Sequence, residues 1–219
     1  MKKTKFILLT AVVLSLFMTS CGGGGGESVS EGGNESGPIQ LKDNQYVDFR
    51  YDLNDNGNGI VITGYTGAGG KVTIPEKIEN IPVMEIGENA FRGRNRENDN
   101  LRSGDEITSV IIPNGVRKIG QGAFADCRKL TDVTLPDTVE EIREIAFRGC
   151  TSLVSANIPA GLKVMGLRAF STCGELSNLT IPAGTGAIDW QGANHFANCG
   201  KLPSDTQQRL RDLGYADRF

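Results

Sequence analysis

The chain has 219 residues, of which 38% are hydrophobic and 22% charged, enough for one domain with a real core. Its 23 basic and 26 acidic side chains leave a formal charge of −3. That balance argues against nucleic acid as a partner, because phosphate binding needs a concentrated positive surface.

Lys2, Lys3 and Lys5 open the chain, an apolar run fills residues 6–18, and Thr19 and Ser20 precede Cys21. A basic start, a short apolar core and small residues before a cut point form the pattern of a secretory signal, expected over residues 1–20. The apolar run is 13 residues long, short of the roughly 18 that a transmembrane helix needs. Met18-Thr19-Ser20-Cys21 resembles the lipobox of bacterial lipoproteins. The resemblance implies cleavage before Cys21 and lipid attachment at its sulfur. Several acyl chains on one residue anchor stably where a single chain holds only marginally. Cleavage removes three lysines, leaving 20 basic against 26 acidic side chains and a charge of −6.

Residues 21–45 read as the lipidated cysteine and a tether. Five glycines occupy 22–26, and 27–37 contain only Glu, Ser, Val, Gly and Asn, a composition that cannot bury a core. Treated as a Gly/Ser coil, 22–38 spans about 20–25 Å. Acids directly after the cysteine serve some lineages as a surface-export signal, and here glycines stand in their place. An outer-membrane protein facing the periplasm and one facing the outside therefore both stay open.

A single domain is expected over 46–219. In its first part, 46–74, Asp52-x-Asn54-x-Asn56-Gly57 matches half of a calcium loop, but the twelfth position, which should carry a bidentate acid, is Thr63. A hairpin turn rich in Asn, Asp and Gly is the better account.

Residues 75–202 are repetitive. Pro113, Pro136, Pro159 and Pro182 recur every 23 residues, and so do Phe124, Phe147 and Phe170, Cys127, Cys150 and Cys173, and Leu130, Leu153 and Leu176. A fixed period of this size signals a solenoid. In Val133-Thr134-Leu135 the apolar side chains lie two apart and face one side of a strand, and Asp132 and Thr134 face the other. The proline that follows lacks an N–H and ends the ladder. Ala-Phe-x-x-Cys then reads as a short helical or irregular turn that drops Phe inward. No unit buries these groups alone, so units stack, Phe on Phe and Cys on Cys. From Pro75 to Pro113 the step is 38, with five extra residues before Val83 and ten between Phe91 and Ile107, and from Pro182 to Phe196 three more are inserted. Five Phe-bearing turns result.

The pattern Leu-x-x-Val-x-Ile-Pro-x-x-Val-x-x-Ile-Gly-x-x-Ala-Phe-x-x-Cys resembles the BspA-like leucine-rich repeat, common in surface lipoproteins of anaerobic Bacteroidetes. The match runs from about Tyr46 to Leu202. Residues 51–70, with Ile60-Val61-Ile62-Thr63-Gly64-Tyr65, are similar to that family's N-terminal hairpin cap. The first cysteine is missing near Arg94, and Arg143 stands where Gly is usual. The resemblance implies a leucine-rich-repeat solenoid of α/β class, mainly short parallel strands with irregular or short helical turns, and a non-catalytic adhesin-like or protein-binding role. Residues 203–219 supply a C-terminal cap, with Ser204 as helix cap, Gln207 as its third residue, Leu210 and Leu213 on one face and Gly214 as the stop.

Chemistry is sparse. His195 is the only histidine; Cys199 lies within reach, but zinc wants three or four ligands, and no base is placed for a nucleophile. Glu140, Glu141 and Glu144 are scattered rather than paired across a cleft as glycosidases require. No catalytic residue, metal or cofactor is therefore assigned. Cys127, Cys150, Cys173 and Cys199 occupy equivalent places with parallel side chains, which favours buried thiols over bridges, whose Cβ vectors must face one another. Two candidate binding surfaces remain. One is the outward strand strip of Ser109 and Ile111, Asp132 and Thr134, Ser155 and Asn157, and Asn178 and Thr180, about 20 Å long. The other comprises the insertions, with Arg94, Arg96 and Arg102 in the first and Trp190 in the last, unless Trp190 simply closes its turn. The expected partners are the membrane, through the lipid anchor, and a protein or cell-surface ligand. A structural or periplasmic accessory protein that binds another envelope component is the alternative.

Overall fold

The structure is a computed structural model that describes residues 48–93 and 103–219. Cys21, the signal and the tether lie outside the described residues, as do Arg94, Arg96 and Arg102.

β1 (Phe49–Leu53) and β2 (Ile60–Tyr65) form an antiparallel hairpin. The Asn54 side-chain oxygen closes its turn by accepting from the backbone N–H groups of Asn58 and Gly59 at 3.1 and 3.3 Å, so the polar turn spends Asn54 on itself. β3 (Gly70–Thr73) follows. The five extra residues before Val83 then fold into a second hairpin, β4 (Lys77–Ile78) against β5 (Ile81–Ile86). Glu79 and Asn80 between them have φ of 52° and 65°, the two positive values that a type I′ turn demands.

From here each turn of the chain lays down two strands and a phenylalanine corner. The remaining pairs are β6 (Ile107–Ile111) with β7 (Lys118–Ile119), β8 (Asp132–Thr134) with β9 (Glu141–Ile142), β10 (Ser155–Asn157) with β11 (Val164–Met165), and β12 (Asn178–Thr180) with β13 (Asp189–Trp190). One sheet runs β1-β2-β5-β7-β9-β11-β13, parallel throughout after the first hairpin, and the other runs β3-β6-β8-β10-β12, all parallel. This is a leucine-rich-repeat solenoid of five turns. The 23-residue period appears directly as register, Ser109 opposite Asp132 and Ser155 opposite Asn178. The insertion in the last turn is divided: two residues precede β13, since Val164 faces Asp189, and one follows it.

The third side is the phenylalanine corner. Phe91, Phe124, Phe147, Phe170 and Phe196 are at most 1% exposed and stack in one column with ring centroids 4.9, 5.2, 4.9 and 5.5 Å apart. Each contact adds roughly 0.5–1.5 kcal/mol beyond the area it buries. Backbone follows the rings, because the N–H groups of Phe91, Phe124 and Phe147 donate to the carbonyls of Ala123, Ala146 and Ala169 in the next turn at 2.7–2.8 Å. On both sides of the ring the chain turns left-handed, at Gly122, Ile145 and Arg168 before it and at Asp126, Gly149 and Thr172 after it. An L-residue there costs about 1–2 kcal/mol. The conformation turns further N–H groups across to the neighbouring turn, as in Ile145 to Leu167 and Thr172 to Ala197 at 2.8 and 2.7 Å, which offsets that strain.

One α-helix among the described residues, α1 (Ser204–Asp212), covers the last turn with Leu210 and Leu213 buried and Gly214 at φ 93° ending it. Its start differs from the expectation. Ser204 is the first helical residue, and Pro203, fixed at φ −58°, holds the cap position with no side-chain hydrogen bond. Gln207 instead reaches back to the Leu202 carbonyl at 2.8 Å.

Replacing Phe147, which has rings above and below it, with alanine should cost about 3–5 kcal/mol. A urea or thermal unfolding midpoint equal to wild type would contradict its place in the core.

Candidate functional site

Alternation along the short strands of the second sheet leaves one side chain in two facing solvent. Asp132 and Thr134 are exposed and Val133 between them is buried; Asn178, Leu179 and Thr180 repeat the pattern. Ser109, Ser155 and Asn157 are half-buried, and Ile111 is exposed. The strip is wider than the sequence indicated. β3 pairs with β6 so that Lys71 faces Ser109 and Thr73 faces Ile111, which places both at its N-terminal end. Their register was hidden by the irregularity at Gly70 and by the hairpin that separates β3 from its turn's second strand.

The strip is not uniformly available. Asn157 accepts from the Leu135 N–H at 2.8 Å and donates to the Leu135 carbonyl at 2.7 Å, completing the ladder where backbone pairing lapses. Asn178 leans on the Ser155 hydroxyl at 3.3 Å, and Asp132 accepts from Thr131 at 2.6 Å. Thr73, Ile111, Thr134 and Thr180 make the open row.

The first sheet presents different chemistry, which sequence reasoning missed because its strands β7, β9, β11 and β13 are two residues long and show no alternation. A trough of about 380 Å³ crosses its outer face, lined by Lys118, Gly120, Gln121, Arg143, Glu144 and Gly166 among others. A Cβ on Gly120 would sit 2.7 Å from the carbonyl carbon of Gly87, and one on Gly166 would run into the Glu144 amide nitrogen. Arg143, the departure from the glycine pattern, is held by Glu141 at 2.6 Å. Beside it Glu140 is bridged by Arg117 and Lys163 at 2.9 and 2.6 Å. The Lys163 hydrogen bond and charge, helped by Arg117, hold the Glu140 carboxyl below its ordinary value.

Trp190 belongs to the end of the stack. Its indole N–H donates to the Leu213 carbonyl at 2.8 Å, and the ring packs against Tyr215 and His195, so it ties the last turn to the cap. His195 is 1% exposed. Its Nε2 lies 3.2 Å from the Gln191 carbonyl and its Nδ1 3.9 Å from Asp217. Burial pushes its pKa down, opposed by the Gln191 contact and the Asp217 charge. Cys199 turns its thiol elsewhere, to the Phe170 carbonyl at 3.2 Å.

That last contact is one of a series. Cys127, Cys150 and Cys173 are buried free thiols that donate to the carbonyls of Phe91, Phe124 and Phe147 at 3.0, 3.1 and 3.2 Å. They are more than apolar filler, since each supplies a donor to a carbonyl of the preceding turn. Burial pushes the Cys150 thiol well up, which suppresses the reactive thiolate.

A family model, the BspA-type leucine-rich-repeat region, matches six copies over residues 85–209, more than half of the chain. The chain belongs to the BspA-type leucine-rich-repeat family. It is similar to the solved leucine-rich-repeat protein of T. pallidum, with 28% identity and a TM-score of 0.56 over 81% of this chain and 99% of that one. A leucine-rich-repeat protein of Bacteroides capillosus is 28% identical, with a TM-score of 0.52, over 62% of this chain and 95% of that one. Among curated proteins there is no sequence match. BspA-type and other leucine-rich-repeat domains typically serve as non-catalytic modules for protein binding or adhesion.

Denatured but unreduced protein lacking Cys21 should consume four equivalents of a thiol reagent, and native protein none within minutes. Fewer in the denatured sample would reveal bridges.

His195 also sets a pH dependence. Its folded pKa lies below the ordinary 6.5, so the unfolded chain takes up a proton first and stability falls as pH drops below about 6.5. His195→Ala, which restores the residue of the other turns, should lose less stability between pH 7.5 and 5.5 than wild type. Equal slopes would place the His195 titration elsewhere.

Proposed function

We propose that the chain is an exported lipoprotein, anchored at Cys21 to the outer membrane and carried on a glycine-rich tether, whose solenoid binds a protein or cell-surface ligand without catalysis. The observation that carries this reading is the strip on the second sheet: five parallel strands in register present a flat, open row of Thr73, Ile111, Thr134 and Thr180 in a family whose domains are typically binding modules. A partner must touch several adjacent turns, because stacked units offer a strip and not a pocket. Four strand spacings of about 4.8 Å limit the face to an interface at or below the standard of roughly 1,600 Å². Single-site affinity is then modest, and many copies tethered on one membrane raise the avidity.

The test replaces Asp132, Thr134 and Thr180 together with lysine and leaves Asn157 alone, since it is committed to Leu135. The variant should keep its thermal midpoint but lose adherence to a panel of host proteins and cell surfaces. Should adherence survive there and vanish on deleting residues 94–102, recognition belongs to the first insertion. Mass spectrometry of the mature N-terminal peptide tests the anchor, and an unacylated Cys21 would defeat it. If wild type adheres to nothing outside the cell and co-purifies with envelope proteins, the adhesin reading gives way to an accessory role.

A further inference from the structure

A further opening lies at the phenylalanine corner, outside the strip. An opening of about 290 Å³ is lined there by Asp126, Arg128, Arg148, Gly149, Thr151 and Thr172, at the lower end of the size of small-ligand sites. Three successive turns build it, and the backbone is locked by Asp126 N–H to Arg148 and Gly149 N–H to Ser171 at 2.7 and 2.9 Å. Its charge opposes that of the molecule. The chain as a whole is acidic, at −3, yet the opening itself is lined by two arginines, Arg128 and Arg148, against one acid, Asp126, which Arg92 pairs from beside it, with Asp105 close by. At physiological ionic strength charges beyond about 8 Å are screened, so a ligand in the opening meets the arginines and not the distant acids.

The donors and acceptors are specific. Among the described residues Arg128 and Arg148 make neither an ion pair nor a side-chain hydrogen bond, which leaves two planar guanidinium forks suited to carboxylate or sulfate oxygens. Asp126 Oδ2 accepts from the Arg92 guanidinium at 3.4 Å, and its Oδ1 has no partner among the described residues. Gly149, at φ 76°, keeps that oxygen open, since a Cβ there would stand 2.6 Å from it. The hydroxyls of Thr151 and Thr172 can donate or accept. A complementary ligand must therefore carry an anionic group for the arginines and, beside it, hydroxyl donors for Asp126. A fully ionised phosphate or sulfate alone supplies no donor. We propose that this opening binds an acidic sugar residue, a uronate, sialate or sulfated hexose, of a surface glycan.

The test uses the full chain in detergent micelles, titrated with sialyllactose and with a galacturonate trimer and followed by ligand-observed NMR, with lactose and inorganic sulfate as comparators. Both acidic sugars should bind at one site, about tenfold or more tighter than either comparator. The Arg128→Gln/Arg148→Gln variant should weaken them by a similar factor at an unchanged thermal midpoint. Both side chains are exposed, so the fold does not depend on them. Acidic sugars no tighter than lactose, or unchanged in the variant, would overturn the proposal. Sulfate as tight as the sugars would overturn it too, reducing the opening to a plain oxyanion site.

Discussion

A phenylalanine ring in a turn of 23 residues cannot be buried by that turn, and most of the architecture follows from covering it with the ring of the next. Stacking fixes the axial rise, and the rise lets both sheets run parallel with equivalent residues opposite one another. It also fixes where the backbone must strain. The left-handed residues around each ring turn their N–H groups to the neighbouring turn, and even the β-branched Ile145 and Thr172 are held there, at φ 51° and 64°. Each cysteine thiol then fills the remaining space and donates to a phenylalanine carbonyl of the turn before it.

A column has two ends that its own repeat cannot close. At the start, the β1–β2 hairpin adds antiparallel strands, and Tyr65 and Phe49 extend the ring column beyond Phe91 at centroid distances of 5.4 and 6.3 Å. At the finish, Tyr215 meets Phe196 edge-on at 5.5 Å and Trp190 ties the turn to Leu213. His195, its pKa lowered by burial, belongs to this seam. With core and ends accounted for, function is left to the lateral faces. These differ in chemistry: a hydroxyl row on one sheet, an ion-paired trough on the other, and an arginine-lined opening at the corner.

The ring column, the cysteine column and the outward strip were legible in the sequence because a strict period carries them. Residues such as Asp132 and Thr134 could be placed by counting alone. Lys71 and Thr73 escaped because a hairpin interrupts the count between β3 and β5. The trough escaped because two residues per strand leave no alternation to read. Left-handed positions occupied by Ile145 and Arg168 carry no glycine or asparagine signal, and only the stack imposes them. The helix start at Pro203 shows the same limit, since Ser204 and Gln207 had the spacing of a capping pair but the proline had already fixed the entry. Arg128 and Arg148 are brought together by the corner, and nothing in their separation of 20 residues announces it.

Equivalence between turns underlies the whole fold, and removing one turn tests it most directly. Deleting residues 130–152, one full period, joins Lys129 to Leu153, brings the Ser155 turn into the place of the one removed, and should leave a cooperatively unfolding protein with a shortened ring column. Deleting 130–155 instead, three residues more, leaves the joined turn too short to reach the next strand and ring positions, a shortfall that no loop can absorb, and should abolish cooperative unfolding. Two deletions that unfold alike, both cooperative or both not, would contradict the claim that the 23-residue register holds the fold together.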